Sequence, residues 1–227
     1  MHRKFCIPGI IFLTAALVLL IIVSISLPFF SAMDFVRVHF GNSITATFGE
    51  GISQLRFGIW SFCFYDASNG NRTCSPKHHA YSVGIRSPTN LNQIEIIGAS
   101  WTRGLAIHPV AAAVTFVAFL FSFSTHVTFT LVASLLSFLA AAITFIAFLC
   151  DIALYAFVHN KMGDLDGVNP NTDTGPAFWL TFVSFILLLL AGCTVCFGRR
   201  RARMDGASSS YPMTNKPFWK RFRRGGY

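Results

Sequence analysis

AIHPVAAAVTFVAFLFSFSTHVTFTLVASLLSFLAAAITFIAFLCDIALYAFV, residues 106–158, runs for more than 50 residues without a Lys, Arg or Glu. One helix crosses a bilayer with about 20 apolar residues, so this block is too long for a single span. It reads as two helices, 106–124 and 127–158, joined by a tight turn within Ser122–Thr128 that contains Ser124, Thr125 and His126. The second of these is long enough to project beyond the bilayer surface.

The rest of the chain extends the same reading. Of 227 residues, 53% are apolar and only 12% charged, and 25 are phenylalanine. A soluble domain carries roughly twice that charged fraction, so this is the composition of a membrane protein. Upstream, residues 7–30 form a further apolar block after Met1-His2-Arg3-Lys4. It is longer than a secretory h-region of about 7–15 residues and ends Leu27-Pro28-Phe29-Phe30, so a retained span is expected. Downstream, residues 177–197 follow Gly175-Pro176 and stop at Gly198-Arg199-Arg200-Arg201. The expected fold is an all-α membrane bundle of four helices with a small antiparallel extracellular β-sheet.

Four spans place residues 1–6 and the tail, 198–227, on one side. Arg3, Lys4 and nine bases of the tail make that side basic, so the positive-inside rule makes it cytoplasmic. The net charge of +9 thus sits largely in one tail, and its expected partner is the anionic cytoplasmic leaflet rather than nucleic acid. The first outer loop, 31–105, also holds six bases, but loops of that length translocate largely regardless of charge. The second outer loop, 159–176, carries Asp164, Asp166 and Asp173 against Lys161. Ala111, Thr115, Ala118 and Ser122 share one face of the second span, and Ala140, Thr144, Ala147 and Asp151 one face of the third. Small residues at this spacing let membrane helices approach closely.

Alternation in the first loop predicts strands at 35–40, 43–48, 54–65 and 81–86, with Gly41-Asn42 as a hairpin turn. Cys63 and Cys74, ten residues between them, are expected to oxidise to a disulfide outside the cell. Closing so short a loop stabilises by roughly 2–3 kcal/mol. Asn71-Arg72-Thr73, between the two cysteines, is an N-glycosylation sequon on the expected outer side.

The run Gly58-Ile59-Trp60-Ser61-Phe62-Cys63, followed by Cys74, resembles the outer-loop signature of claudin-like tetraspan proteins. Trp60 is expected to pack on the disulfide or at the membrane interface and so to pin the sheet to the helices. With Ala147-Phe148-Leu149-Cys150-Asp151-Ile152-Ala153-Leu154 on the third span, the chain is most similar to the fungal PalI family, which includes cortical-patch (eisosome) tetraspan proteins. The resemblance covers residues 5–200, and the short tail departs from the long low-complexity tail of some members. It implies a noncatalytic plasma-membrane protein without cofactors. PalI-like members assist a separate seven-span receptor in ambient-pH signalling, and cortical-patch members organise membrane domains and support cell-wall integrity.

Asp151 is the one acid inside an expected span. A carboxylate in lipid costs at least about 2.5–3.5 kcal/mol, so it must face the bundle interior or a partner. No Lys or Arg lies in another span, which leaves a Ser or Thr on a neighbouring helix as the expected partner, with pH sensing as the functional alternative. His78-His79 read as solvated loop residues without the further ligands a metal site needs, and His108, His126 and His159 as ordinary interfacial residues. Cys193 and Cys196, beside the Arg run, are palmitoylation candidates, as is Cys6. In the tail, Arg199, Arg200, Arg201, Arg203, Lys216, Lys220, Arg221, Arg223 and Arg224, interleaved with Phe218, Trp219 and Phe222, suit anionic lipid headgroups. Each base contributes about 1 kcal/mol near such a surface. No nucleophile elbow, phosphate loop or zinc-protease motif is present, so no catalytic residue is assigned. A binding platform, able to form homo-oligomers, is therefore expected, with a channel or transporter subunit as the reading from a different class.

Overall fold

A computed structural model describes residues 7–46, 51–87, 90, 92–124, 127–165, 167 and 169–209. Helix α1 (Ile7–Ser24) leads into a sheet of β1 (Val36–Ala46), β2 (Gly51–Phe57), β3 (Phe62–Asp66), β4 (Arg72–Cys74), β5 (Val83–Arg86) and β6 (Ile94–Ile97). Helix α2 (Ala99–Thr102) and a 3-10 turn (Arg103–Ala106) enter α3 (Ile107–Ser122). Then come α4 (Val127–Gly163), β7 (Pro170–Thr174) and α5 (Pro176–Ser209). The chain is a four-helix membrane protein with an antiparallel sheet at one end of the bundle. Three helical stretches, Ala99–Ser122, Thr128–Gly163 and Pro176–Thr194, are long and apolar enough to cross a membrane, and the apolar part of α1 is shorter.

Hydropathy marks where lipid contact begins and ends, and the backbone hydrogen bonds of a helix need not stop there. The helical limits differ from the apolar blocks for that reason. α1 closes at Ser24 and turns carry the chain through Pro28, which has no N–H to continue a helix. The helical stretch of α2–α3 starts seven residues before the apolar block at 106, and α5 continues past 197 through the Arg run to Ser209. α4 has 37 residues, roughly 55 Å, against a hydrocarbon core of about 30 Å.

The strand order is β4-β3-β2-β1-β5-β6, with β7 also paired to β1. Gly41-Asn42 is not the hairpin turn expected from its composition. β1 runs through it, with a register shift between His39 and Ile44, while Phe40 still pairs Pro170 and Ile44 pairs Ile52. A Gly-Asn pair makes a turn only if the ladder closes behind it, and here it is absorbed as an irregularity in a continuing strand. β1 and β2 pair antiparallel, and the residues expected to complete a strand to 48 lie outside the described set. The expected strand 54–65 is two strands, β2 and β3, interrupted at residues 58–61. β7 was not expected at all.

Two apolar cores stack along the bundle axis. One joins the sheet to the upper helices through Val23, Phe35, Leu55, Phe57, Leu105, Leu154, Val158 and Ala177. The other lies within the helices, built from Leu13, Ala16, Leu20, Ala111, Ala118, Ala140, Ala141, Leu188 and Ala191. The small-residue faces of α3 and α4 point inward: Ala111, Thr115, Ala118, Ala140, Thr144 and Ala147 are all fully buried. Thr115 and Thr144 donate to the Ala111 and Ala140 carbonyls of their own helices, at 2.7 and 2.8 Å, which satisfies hydroxyls that lipid could not. Around the sheet end of the helices, Phe29, Phe30, Trp101 and Trp179 are exposed, as an interfacial aromatic belt requires.

Candidate functional site: the seam between sheet and helices

Polar contacts concentrate where the two cores meet. Leu105, in the 3-10 turn before α3, belongs to the sheet core and Ala111 of α3 to the helical core, with His108 between them. On α4, Asp151 lies between Ala141 and Leu154 in the same way, and on α5 Thr181 lies between Ala177 and Leu188. All three side chains are fully buried. His108 Nε2 is 3.2 Å from Asp151 Oδ2. Asp151 is therefore partnered by a histidine, which the sequence did not suggest, while Thr181 on the neighbouring helix α5, a residue of the expected type, also stands beside its carboxylate. The Thr181 hydroxyl is close to the carboxylate but donates to the Ala177 carbonyl at 2.9 Å, and Asp151 Oδ1 has no partner among the described residues.

Pro109 explains the geometry of His108. Proline has no N–H and cannot bond the carbonyl four residues back, which is that of Leu105. His108 Nδ1 takes that carbonyl instead, at 2.9 Å. With Nδ1–H so committed, the Nε2–Oδ2 contact holds one shared proton, and the pair has no net charge whichever side the proton occupies. A net-neutral pair is what a lipid-enclosed seam tolerates. Phe35 closes over the imidazole edge-on, with centroids 4.8 Å apart.

The motif run 58–63 meets the end of α1. Trp60 Nε1 donates to the Ser24 carbonyl at 2.8 Å, and the Ile59 N–H donates to Ser26 Oγ at 3.0 Å. Trp60 thus pins the sheet by a hydrogen bond to the helix end. Gly58 permits this approach, since a Cβ there would lie 2.5 Å from Leu27 Cβ. The Gly58 carbonyl accepts from Tyr81 Oη at 2.6 Å, and the Tyr81 carbonyl accepts from Thr102 Oγ1 at 2.7 Å. Burial pushes the Tyr81 hydroxyl far above the ordinary phenol range, so it stays a neutral donor. The relay ties α1, the motif and α2 into one unit.

A third junction joins β1 to β7 and α5. Fully buried Asp34 receives Arg37 Nε at 3.0 Å and Nη2 at 2.8 Å, a two-pronged contact that raises the Arg37 pKa. The Gly175 N–H donates to the Phe35 carbonyl at 2.8 Å and the Ala177 N–H to the Asp34 carbonyl at 3.1 Å.

Cys63 and Cys74 form a disulfide between paired positions of β3 and β4. Asn71 is exposed just before β4. Cys193 is a half-buried free thiol on α5, and Cys196, Arg199, Arg200, Arg201 and Arg203 follow on the same helix. Cys6 and the tail bases Lys216, Lys220, Arg221, Arg223 and Arg224 lie outside the described residues. The structure gathers Gly58, Ile59, Trp60 and Asp151 at the seam. It adds Asp34, Arg37, Ser26 and Tyr81, which sequence reasoning missed, and His108, which was expected to be an ordinary interfacial residue and is instead fully buried against Asp151. Only His-Pro at the head of a span, facing a span with a lone Asp, could have signalled the pair.

Residues 5–192 match the model of the SUR7/PalI family. The chain belongs to the SUR7/PalI family. No curated protein matches it. The matched region contains every seam residue just described, so the sheet–helix junction of this SUR7/PalI chain lies wholly inside the family region.

Proposed function

We propose that this SUR7/PalI chain is a noncatalytic plasma-membrane accessory protein that assists a separate membrane receptor in ambient-pH signalling. In this reading both termini are cytoplasmic, the sheet faces outward, and the basic tail holds anionic inner-leaflet lipid. The observation that carries it is the buried His108–Asp151 pair at the level where the sheet core gives way to the helical core. This pair ties the sheet end of the bundle to its helical end.

Deleting the chain should block growth at alkaline pH. The wild-type chain should restore growth, and Asp151→Asn should restore it incompletely while reaching the membrane at normal levels. A deletion strain that grows normally at alkaline pH, with the tagged protein in static patches, would overturn this reading in favour of a cortical membrane-domain organiser.

The orientation has its own test. Asn71 stands exposed before β4, and an outward sheet makes its sequon available for glycosylation. The protein should shift in mobility on endoglycosidase treatment, and Asn71→Gln should abolish the shift. Glycosidase sensitivity that persists in Asn71→Gln would mean that another site is modified.

A further inference from the structure

Two cations are set against the turn by which the chain leaves α1, and neither has an acid to balance it. α1 closes at Ser24, and turns carry the chain to Phe29 and Phe30, whose side chains are 60% and 49% exposed. Lys77 Nζ stands 4.4 Å from the centre of the Phe29 ring. Arg56 Nη1 donates to the Ser31 carbonyl at 2.9 Å. The ion pairs among the described residues are Arg37–Asp34, His39–Asp173, His108–Asp151 and Lys161–Glu95, so no described acid is paired with Lys77 or Arg56.

Both cations are held in place. The Ser75 N–H donates to the Phe62 carbonyl and the His78 N–H to the Trp60 carbonyl, each at 2.9 Å. Because Trp60 is itself bonded to Ser24, the loop that carries Lys77 is tied to the last residue of α1. Arg56 donates from Nε and Nη2 to Gln54 Oε1, at 3.0 and 2.8 Å, and its guanidinium lies 4.6 Å over the Tyr65 ring. With Nη1 on Ser31, this leaves one N–H on each of Nη1 and Nη2 without an acceptor among the described residues. The Lys77 ammonium has only the face of Phe29, which attracts the cation but leaves its N–H donors and its charge unspent.

We infer that this turn binds the phosphate headgroup of an anionic lipid in the leaflet on the sheet side, with Lys77 and Arg56 toward the phosphate and Phe29 and Phe30 among the acyl chains. Position selects a lipid. The turn directly follows a membrane helix, so a phosphate layer lies at its level. Phosphate also supplies what the two cations lack, negative charge and several strong acceptors. A protein partner would have to bring an acid to the bilayer surface, where lipid phosphate already stands. The site is separate from the basic tail, because α5 runs from Pro176 on the sheet side to the Arg run at the far end of the bundle. The inference does not depend on the pH reading, nor on which leaflet is the outer one.

The test is photochemical capture by the full chain in vesicles of equal phosphatidylglycerol and phosphatidylcholine. A benzoylphenylalanine in place of Phe30 couples to whatever lies beside it, and mass spectrometry of the adduct reads the lipid at this position and not at the tail. Each base beside the headgroups should favour the anionic lipid about fivefold. The phosphatidylglycerol adduct should therefore exceed the phosphatidylcholine adduct by about tenfold or more. Lys77→Gln and Arg56→Gln should each lower that ratio about fivefold, and Arg72→Gln, which removes an exposed base on β4, should leave it unchanged. Lys77 is exposed, so Lys77→Gln keeps the fold and decides the case alone if Arg56→Gln disturbs the sheet, which loss of the Cys63–Cys74 bond would reveal. A wild-type ratio near one overturns the proposal, as does a ratio unmoved by Lys77→Gln. An equal fall in Arg72→Gln also overturns it, since the preference would then come from diffuse surface charge, and so does a chain–chain adduct in place of the lipid one. The adduct is read without any growth phenotype, so its failure is distinct from failure of the signalling role.

Discussion

Replacing His108 by alanine is expected to destabilise the folded protein by about 3–5 kcal/mol, the loss typical of removing one partner from a buried ion pair. Both members are fully buried, so solvent does not soften the effect. The truncation leaves Asp151 with neither oxygen partnered, because Oδ1 already lacks a partner among the described residues. Asp151→Ala should cost less, about 1–3 kcal/mol, since it strands only the neutral Nε2 acceptor. Asp151→Asn should cost least of the three, because the amide N–H donates to Nε2. His108→Leu combined with Asp151→Leu should recover much of the loss, since apolar residues of similar volume often replace a buried pair without penalty. Thermal unfolding in detergent gives this ranking, with a midpoint drop of roughly 10 °C for His108→Ala. A His108→Ala protein as stable as wild type would refute the pair's role in holding the seam. If instead the double-leucine protein is stable but fails to restore growth at alkaline pH, the pair acts in signalling beyond structure.

How this pair escaped sequence reasoning shows what such reasoning can reach. The fold class was legible because lipid imposes a simple rule: a span must be apolar for about 20 residues, and blocks such as 106–158 satisfy it without reference to any other part of the chain. The Cys63–Cys74 bond was legible because the two residues are close in sequence within one polar loop. Asp151 was also visible, as a lone acid in lipid. Its partner was not, because His108 is 43 residues away and no periodicity links the two. The same limit hid Asp34 and Arg37, whose polar character reads as ordinary loop until β1 and α5 close on them. β7 reads Pro-Asn-Thr-Asp-Thr, a poor strand by propensity, and it is a strand only because β1 offers an open margin at residues 36–40. Gly41-Asn42 failed in the opposite direction: a strong local turn signal yielded to ladders formed on both sides of it. In each case tertiary pairing overrode local preference.

Gly175→Ala should be among the most damaging single-methyl changes in the chain. A Cβ at this position would run into the Asp34 carbonyl oxygen and lie 2.6 Å from its carbon. These are backbone atoms, which cannot turn aside as a side-chain tip can. The strand and helix must separate, and three contacts depend on their closeness: Gly175 N–H to Phe35 O, Ala177 N–H to Asp34 O, and the Arg37 fork on buried Asp34. An added methylene in a tight site costs about 1–3 kcal/mol by itself. Displacing Asp34 from Arg37 adds the cost of a buried carboxylate with poorer partners, so a total of about 3 kcal/mol or more is expected. Gly163→Ala is the control, since its Cβ would meet nothing within 4 Å, and it should stay within about 0.5 kcal/mol of wild type. Thermal unfolding of both variants tests the contrast. Equal stability would mean that β1 and the start of α5 slide past one another at little cost. A large loss confined to Gly175→Ala would mean that the sheet's angle on the bundle is set by backbone contact.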